Sequence, residues 1–124
     1  MTLKFYRCKL CGQIVAKVEA TKADIICCGE PMEEIVPNTE DGAYEKHVPV
    51  WILENNKLHV NVGSDDHPME NGHHIKWIYV QTKPGAYFKC LRPGDKPAAC
   101  FTLGKDEEPT EVLALCNLHG MWKA

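Results

Sequence analysis

The sequence predicts an all-β protein in two parts: a small metal-knuckle module over residues 1–36 and an antiparallel β-sandwich over residues 37–124. Three observations carry this. Four of the seven cysteines fall in the first part, as Cys8-x-x-Cys11 and Cys27-Cys28. Beyond residue 42, short runs rich in β-branched and aromatic residues alternate with clusters of turn formers. No long stretch has the 3.6-residue apolar period of a helix, so any helices should be short.

In the first part, Cys8-Lys9-Leu10-Cys11-Gly12 is a knuckle in which backbone N–H groups can point at sulfur, and Gly12 permits the tight turn. Gln13 to Val18 reads as a strand, and Cys27-Cys28-Gly29 forms the second turn. Four thiolates on two turns can close a tetrahedron around iron or zinc. A segment this short buries little apolar surface, so metal binding should supply its folding energy. The competing reading is a strained Cys27–Cys28 disulfide or free buried thiols. Pro37-Asn38-Thr39-Glu40-Asp41-Gly42 is polar and rich in turn formers, and reads as the linker.

The second part reads as strands over Val48–Leu53, Leu58–Val62, Ile75–Gln81, Ala86–Leu91, Ala98–Leu103 and Glu111–Cys116, the last two being the final strands. Pro49 sits near a strand start, where proline is tolerated. Glu54-Asn55-Asn56-Lys57 is a hairpin turn. Strict alternation in Leu58-His59-Val60-Asn61-Val62 buries one face and turns His59 outward. Gly63-Ser64-Asp65-Asp66 opens a loop that carries His67, His73 and His74, and Arg92 to Pro97 forms another loop.

The totals narrow the function. The chain has 124 residues, 44% of them apolar, with a net charge of −3 and no Lys/Arg block. Clustered positive charge, which nucleic acid requires, is absent. No run has the length of a signal peptide or a membrane span, so a soluble cytoplasmic protein is expected. In that reducing setting, seven cysteines read as metal ligands sooner than disulfides.

A second ligand set lies in the loops. Cys116 and His119 are three positions apart in Cys116-Asn117-Leu118-His119-Gly120, at the end of the apolar run Val112–Leu115. His47 directly precedes a strand, and His67 and His73 share one loop. Loops of a sandwich cluster at its two ends, so these residues can converge on a nitrogen-rich iron site with one sulfur ligand.

These residues carry a resemblance. Glu45-Lys46-His47-Val48-Pro49-Val50, His67-Pro68-Met69-Glu70, His73 and Cys116-Asn117-Leu118-His119-Gly120 resemble the signature of desulfoferrodoxin-type superoxide reductases. Cys8-x-x-Cys11 with Cys27-Cys28 is similar to that family's desulforedoxin-like, rubredoxin-like iron module, and the resemblance covers nearly the whole chain. It implies an immunoglobulin-like sandwich and two irons per chain. One would be held by Cys8, Cys11, Cys27 and Cys28. The other would have His47, His67, His73 and His119 as equatorial imidazoles and Cys116 as axial thiolate. It also implies one-electron reduction of superoxide to hydrogen peroxide, a rubredoxin-like electron donor and a homodimer. Glu45 is similar to a further ligand of the oxidised resting site, and the adjoining Lys46 is expected to attract the substrate anion. His74 stands where the family commonly has a larger aromatic, and spacing favours His73 as the ligand.

Two other classes fit some of these features: a non-catalytic iron-thiolate electron-transfer or metal-binding module, and a zinc protein without redox chemistry. His59 is expected on the surface and His74 beside the ligands or exposed. Cys90 and Cys100, within apolar strands, read as buried structural thiols. Trp51, Trp77 and Trp122 read as core or rim packing, and Asp106-Glu107-Glu108 as a solvated face.

Overall fold

The computed structural model describes residues 2–124, and the chain divides into two compact units, one ending at Val36 and one spanning Pro37–Ala124. The first unit holds β1 (Lys4–Arg7), β2 (Ile14–Lys17), β3 (Ile26–Cys27), β4 (Glu30–Pro31) and β5 (Glu33–Glu34). β1 is the centre of a three-stranded antiparallel sheet in the order β2-β1-β5, and β3 and β4 form a two-residue ladder. The Lys4–Arg7 strand was not expected, because its polar ends mask the alternation of Phe5 with its neighbours. Among the described residues here, Leu3, Phe5 and Met32 are the buried apolar side chains besides Cys8, too few for an ordinary core.

The second unit begins with a single helical turn, α1 (Tyr44–His47), followed by β6 (Pro49–Glu54), β7 (Lys57–Val62), β8 (Ile75–Thr82), β9 (Ala86–Cys90), β10 (Ala98–Thr102), β11 (Pro109–Cys116) and β12 (Gly120–Lys123). Two antiparallel sheets result, ordered β10-β7-β6 and β12-β11-β8-β9. Their inner faces meet through Leu58, Val60 and Val62 from one side and Ile78, Val80, Val112 and Ala114 from the other. This is the alternation of a sandwich, one face in and one face out. Asn55 and Asn56 both have positive φ, 49° and 65°, as a two-residue hairpin turn demands.

The order of strands places the ligand-bearing loops. Pro49 pairs with Val62, so the start of β6 lies beside the end of β7. Ile75 pairs with Cys116 and Cys116 with Gly120, so the start of β8, the end of β11 and the start of β12 lie together. The loop between β7 and β8 joins these two groups. α1, the 63–74 loop and the β11–β12 turn therefore share one end of the sandwich.

Some expectations are corrected. β12 was not foreseen, since Gly120–Lys123 is too short to show a period; it pairs with β11 and makes Asn117–His119 a hairpin turn. Cys90 and Cys100 are exposed, not buried. On β10 it is Phe101 that points inward, which turns the neighbouring Cys100 out. Among the described residues, no helix is long and apolar enough to cross a membrane.

Candidate metal centres

Each unit builds one group of metal-ligating side chains. In the first, the sulfurs of Cys8, Cys11, Cys27 and Cys28 all lie within 4.8 Å of one another. The knuckle closes through Gly12 N–H donating to Cys8 O at 2.9 Å, with Gly12 at φ +81°. The Cys11 N–H points at Cys8 Sγ over 3.5 Å. That N–H holds the Cys8 thiol down at about 6, whereas Cys27, crowded by Cys8 and Cys11, is pushed up to about 12. Four thiolates this close repel one another, and a cation between them relieves the repulsion. Cys27 Sγ and Cys28 Sγ are 4.0 Å apart, and both thiols are free, so the vicinal disulfide is not formed.

The second group lies at the loop end of the sandwich. Ligand atoms of His47, His67, His73 and Cys116 lie within 4.8 Å of one another. His119 joins them, with Nδ1 at 3.0 Å from His47 Nε2 and 3.8 Å from Cys116 Sγ. His47 ends α1, and its Nδ1 reaches back to Ala43 O at 2.8 Å. His67 Nδ1 lies 2.7 Å from Pro68 O. A carbonyl oxygen can only accept, so both Nδ1 atoms carry the proton and both Nε2 atoms present lone pairs. Those two Nε2 atoms stand 3.2 Å apart. Two acceptors at that distance repel unless a cation lies between them. His73 Nε2 is buried and has no hydrogen-bond partner in the protein, as a ligand atom reserved for a metal would be.

Burial pushes His67 down to about 4 and also lowers His47 and His73, so these imidazoles are neutral at physiological pH, the form that ligates. Burial raises the Cys116 thiol, with the Glu40 carboxylate adding to the rise and the Leu118 and His119 N–H groups opposing it. His119 N–H points at Cys116 Sγ over 3.4 Å. A set of neutral imidazoles with one thiolate fits iron, and the chemistry of these residues is that of a resident metal site.

Neighbouring side chains hold the ligands. Asn117 joins the hairpin turn to the ligand loop: its Oδ1 accepts from His74 N at 2.9 Å and its Nδ2 donates to Gly72 O at 3.0 Å. Trp122 is 1% exposed; its Nε1 donates to His119 O at 2.9 Å and its ring lies 4.9 Å from that of His47. Trp122 was expected to pack, and it does so against a ligand; Asn117 was given no role from the sequence, although its position between Cys116 and His119 was a signal. His74 stays outside the group, with its Nδ1 at 3.1 Å from Glu70 O, and His59 is exposed.

Glu45 and Lys46 lie in α1, ahead of His47. The 63–65 turn grips their backbone, with Asp65 N donating to Glu45 O at 2.9 Å. Gly63, at φ +88°, is needed there, since a Cβ would lie 2.7 Å from Lys46 O. Lys46 Nζ pairs with Asp65 Oδ2 at 2.9 Å on the surface, and Glu45 is exposed.

Known proteins are similar to this chain over its whole length. A family model described as "Desulfoferrodoxin" matches residues 39–124, and one described as "Desulfoferrodoxin, N-terminal domain" matches residues 1–35. The desulfoferrodoxin of Syntrophotalea carbinolica is 46% identical over 122 residues, covering 98% of this chain and 95% of its own. That of Nitratidesulfovibrio vulgaris is 46% identical over 121 residues, covering 98% and 94%. The crystal structure of the superoxide reductase from Treponema pallidum superposes with a TM-score of 0.85 at 32% identity, covering 100% of this chain and 99% of its own. Since the likeness runs from end to end and takes in the four-cysteine unit as well as the histidine site, the chain belongs to the desulfoferrodoxin family, the two-domain superoxide reductases.

Proposed function

We propose that this superoxide reductase works at an iron held by His47, His67, His73, His119 and Cys116, and that Cys8, Cys11, Cys27 and Cys28 hold a second iron. The observation that carries this is the inward convergence of the imidazole nitrogens on the Cys116 sulfur, with the Nε2 atoms of His47 and His67 facing each other. Iron in this site supplies a one-electron couple for the reaction of superoxide, an electron and two protons to hydrogen peroxide.

The protein's part is to keep five donors in place and to admit a small anion. The bonds from Nδ1 of His47 and His67 to backbone carbonyls fix the ring planes and the tautomer. Burial keeps the imidazoles neutral, so no proton competes for the ligand nitrogens. Cys116 adds a thiolate, whose electron donation tunes the couple. Lys46, one residue from His47, is the positive charge that draws superoxide in, and Glu45 caps the site after turnover. The four-cysteine unit serves as a clamp or as an electron relay. A rubredoxin-like donor, a homodimer and a cytoplasmic setting complete the reading.

The test is anaerobic metal analysis with visible spectra, on the parent and on Cys116→Ser. Two irons per chain are expected, with a sulfur-to-iron band that is absent from the reduced protein and appears when superoxide is added. The serine variant should lose that band and the activity while the four-cysteine spectrum persists. Zinc in both sites of protein made with ample iron would overturn the assignment.

A further inference from the structure

Residues 38–43 lead into α1 as a strap that is fixed at both ends. Asn38 is tied to β12 at three points: its N donates to Met121 O at 3.0 Å, its Oδ1 accepts from Lys123 N at 2.8 Å, and its Nδ2 donates to Lys123 O at 3.3 Å. β12 is the outer strand of its sheet, so the strap occupies an edge that would otherwise lack a partner. At the other end Gly42 lies against the site. A Cβ there would sit 3.0 Å from the Trp122 ring and 3.2 Å from His47 Cε1. Ala43 O then takes the His47 Nδ1 proton.

Between these anchors the Glu40 carboxylate is laid over Gly120. A Cβ at residue 120 would lie 2.5 Å from Glu40 Oε2 and 2.7 Å from its Cδ, and Gly120 has φ +77°. A side chain at position 120 would displace the carboxylate, and the positive φ there favours glycine. Gly120 is the cross-strand partner of Cys116 and the neighbour of His119. The strap thus delivers one negative charge beside the hairpin that carries the only sulfur and one imidazole of the site.

We propose that Glu40 is a positioned charge that tunes the Cys116 iron site, favouring its oxidised state and so holding down its reduction potential. This rests on the assignment of iron to His47, His67, His73, His119 and Cys116. The oxidised metal carries one more positive charge than the reduced metal, so a fixed anion close by stabilises it more. Burial of Cys116 and Trp122 limits screening from within, while the exposed side of the carboxylate meets solvent and salt. The strap that carries Glu40 is held at Asn38 and packs at Gly42 against Trp122 and His47. From there the charge can act on the couple without adding a donor.

The test is the midpoint potential of the histidine-site iron, followed by its sulfur-to-iron band, in the parent, Glu40→Gln and Glu40→Asp. Glutamine keeps the shape and removes the charge. It should raise the potential by at least about 28 mV, a threefold change in the one-electron equilibrium at about 59 mV per decade. Aspartate keeps the charge and should stay closer to the parent. The rise in Glu40→Gln should shrink at high salt. An unshifted potential in Glu40→Gln, or equal shifts in both variants, overturns the proposal. So does loss of iron from Glu40→Gln, which would make the carboxylate part of site assembly. If the parent itself lacks the sulfur-to-iron band, the iron assignment has failed instead.

Discussion

At the residue scale, the site is organised by which atom of each side chain is already committed. His47 and His67 give their Nδ1 protons to Ala43 O and Pro68 O, and so have only Nε2 to offer the metal. His119 instead turns Nδ1 toward both His47 and Cys116, because Cys116 is only three residues away on a tight turn. Lys46 is committed too, to Asp65. An exposed pair of this kind is weak, about 0–1 kcal/mol, so it holds Lys46 near the site without cancelling its use. With a net charge of −3, the protein cannot attract an anion at long range, and a local positive patch must do so. Lys46→Ala is therefore expected to slow the second-order reaction with superoxide by about tenfold or more and to flatten its salt dependence. Iron content and spectra should be nearly unchanged. Pulse radiolysis of the reduced protein across a salt series measures both, and a variant as fast and as salt-sensitive as the parent would remove Lys46 from capture.

At the element scale, loops are pinned by single polar side chains. Asn117 binds the 72–74 segment to the β11–β12 turn, so two ligand-bearing loops move together. Far from the site, Glu107 does the same for the β8–β9 and β10–β11 connections. Its carboxylate accepts from Thr82 Oγ1, from Tyr87 Oη at 2.8 Å and from Gly104 N at 2.6 Å. The acidic run at 106–108 is thus not simply a solvated face, for Glu107 is a clamp within it. The Thr82 hydroxyl and the Gly104 N–H hold its carboxyl below the usual carboxylate value. A depressed folded-state pKa means stability that is full above the unfolded-state pKa and lost as pH falls through the folded one. Glu107→Gln should accordingly lower the urea midpoint at neutral pH, with little change in slope. The gap between parent and variant should close as the medium becomes more acidic than the ordinary carboxylate range. A gap that stays constant with pH would show that shape, not charge, makes the clamp.

At the scale of the whole molecule, two units reach stability by different means. The larger has a layered core of Leu58, Val60, Ile78, Val80 and Val112, all at most 2% exposed. Among its described residues the smaller has five short strands and three buried apolar side chains besides Cys8, so its four clustered sulfurs are its main cross-link once metal is bound. Removing one sulfur should therefore unfold the smaller unit only. Cys11→Ser is expected to lose the four-cysteine iron and to disorder residues 1–36, while the histidine site keeps its spectrum and reduces superoxide from an artificial donor. NMR amide dispersion together with iron content reads this out. Loss of the reaction in pre-reduced Cys11→Ser would make the first iron an obligatory part of the chemistry.

What the sequence determined by itself was what short-range pattern can carry. The paired cysteines, the alternation of Leu58–Val62, the Asn55-Asn56 turn and the Cys116-x-x-His119 spacing each act over a few residues, and each reads directly into a knuckle, a strand, a hairpin or a ligand pair. The all-β class and the two clusters followed from these. Tertiary structure decided what depends on distant partners. β12 exists because β11 offers it an edge, and Cys100 faces outward because Phe101 takes the inward position. Trp122 meets His47, Asp65 pairs with Lys46, Glu107 meets Thr82, and Glu40 lies over Gly120, each across a long stretch of chain. Hydrogen bonds and charges act through space over a few ångströms, and a linear pattern does not record which residues the turns of the sandwich will bring that close.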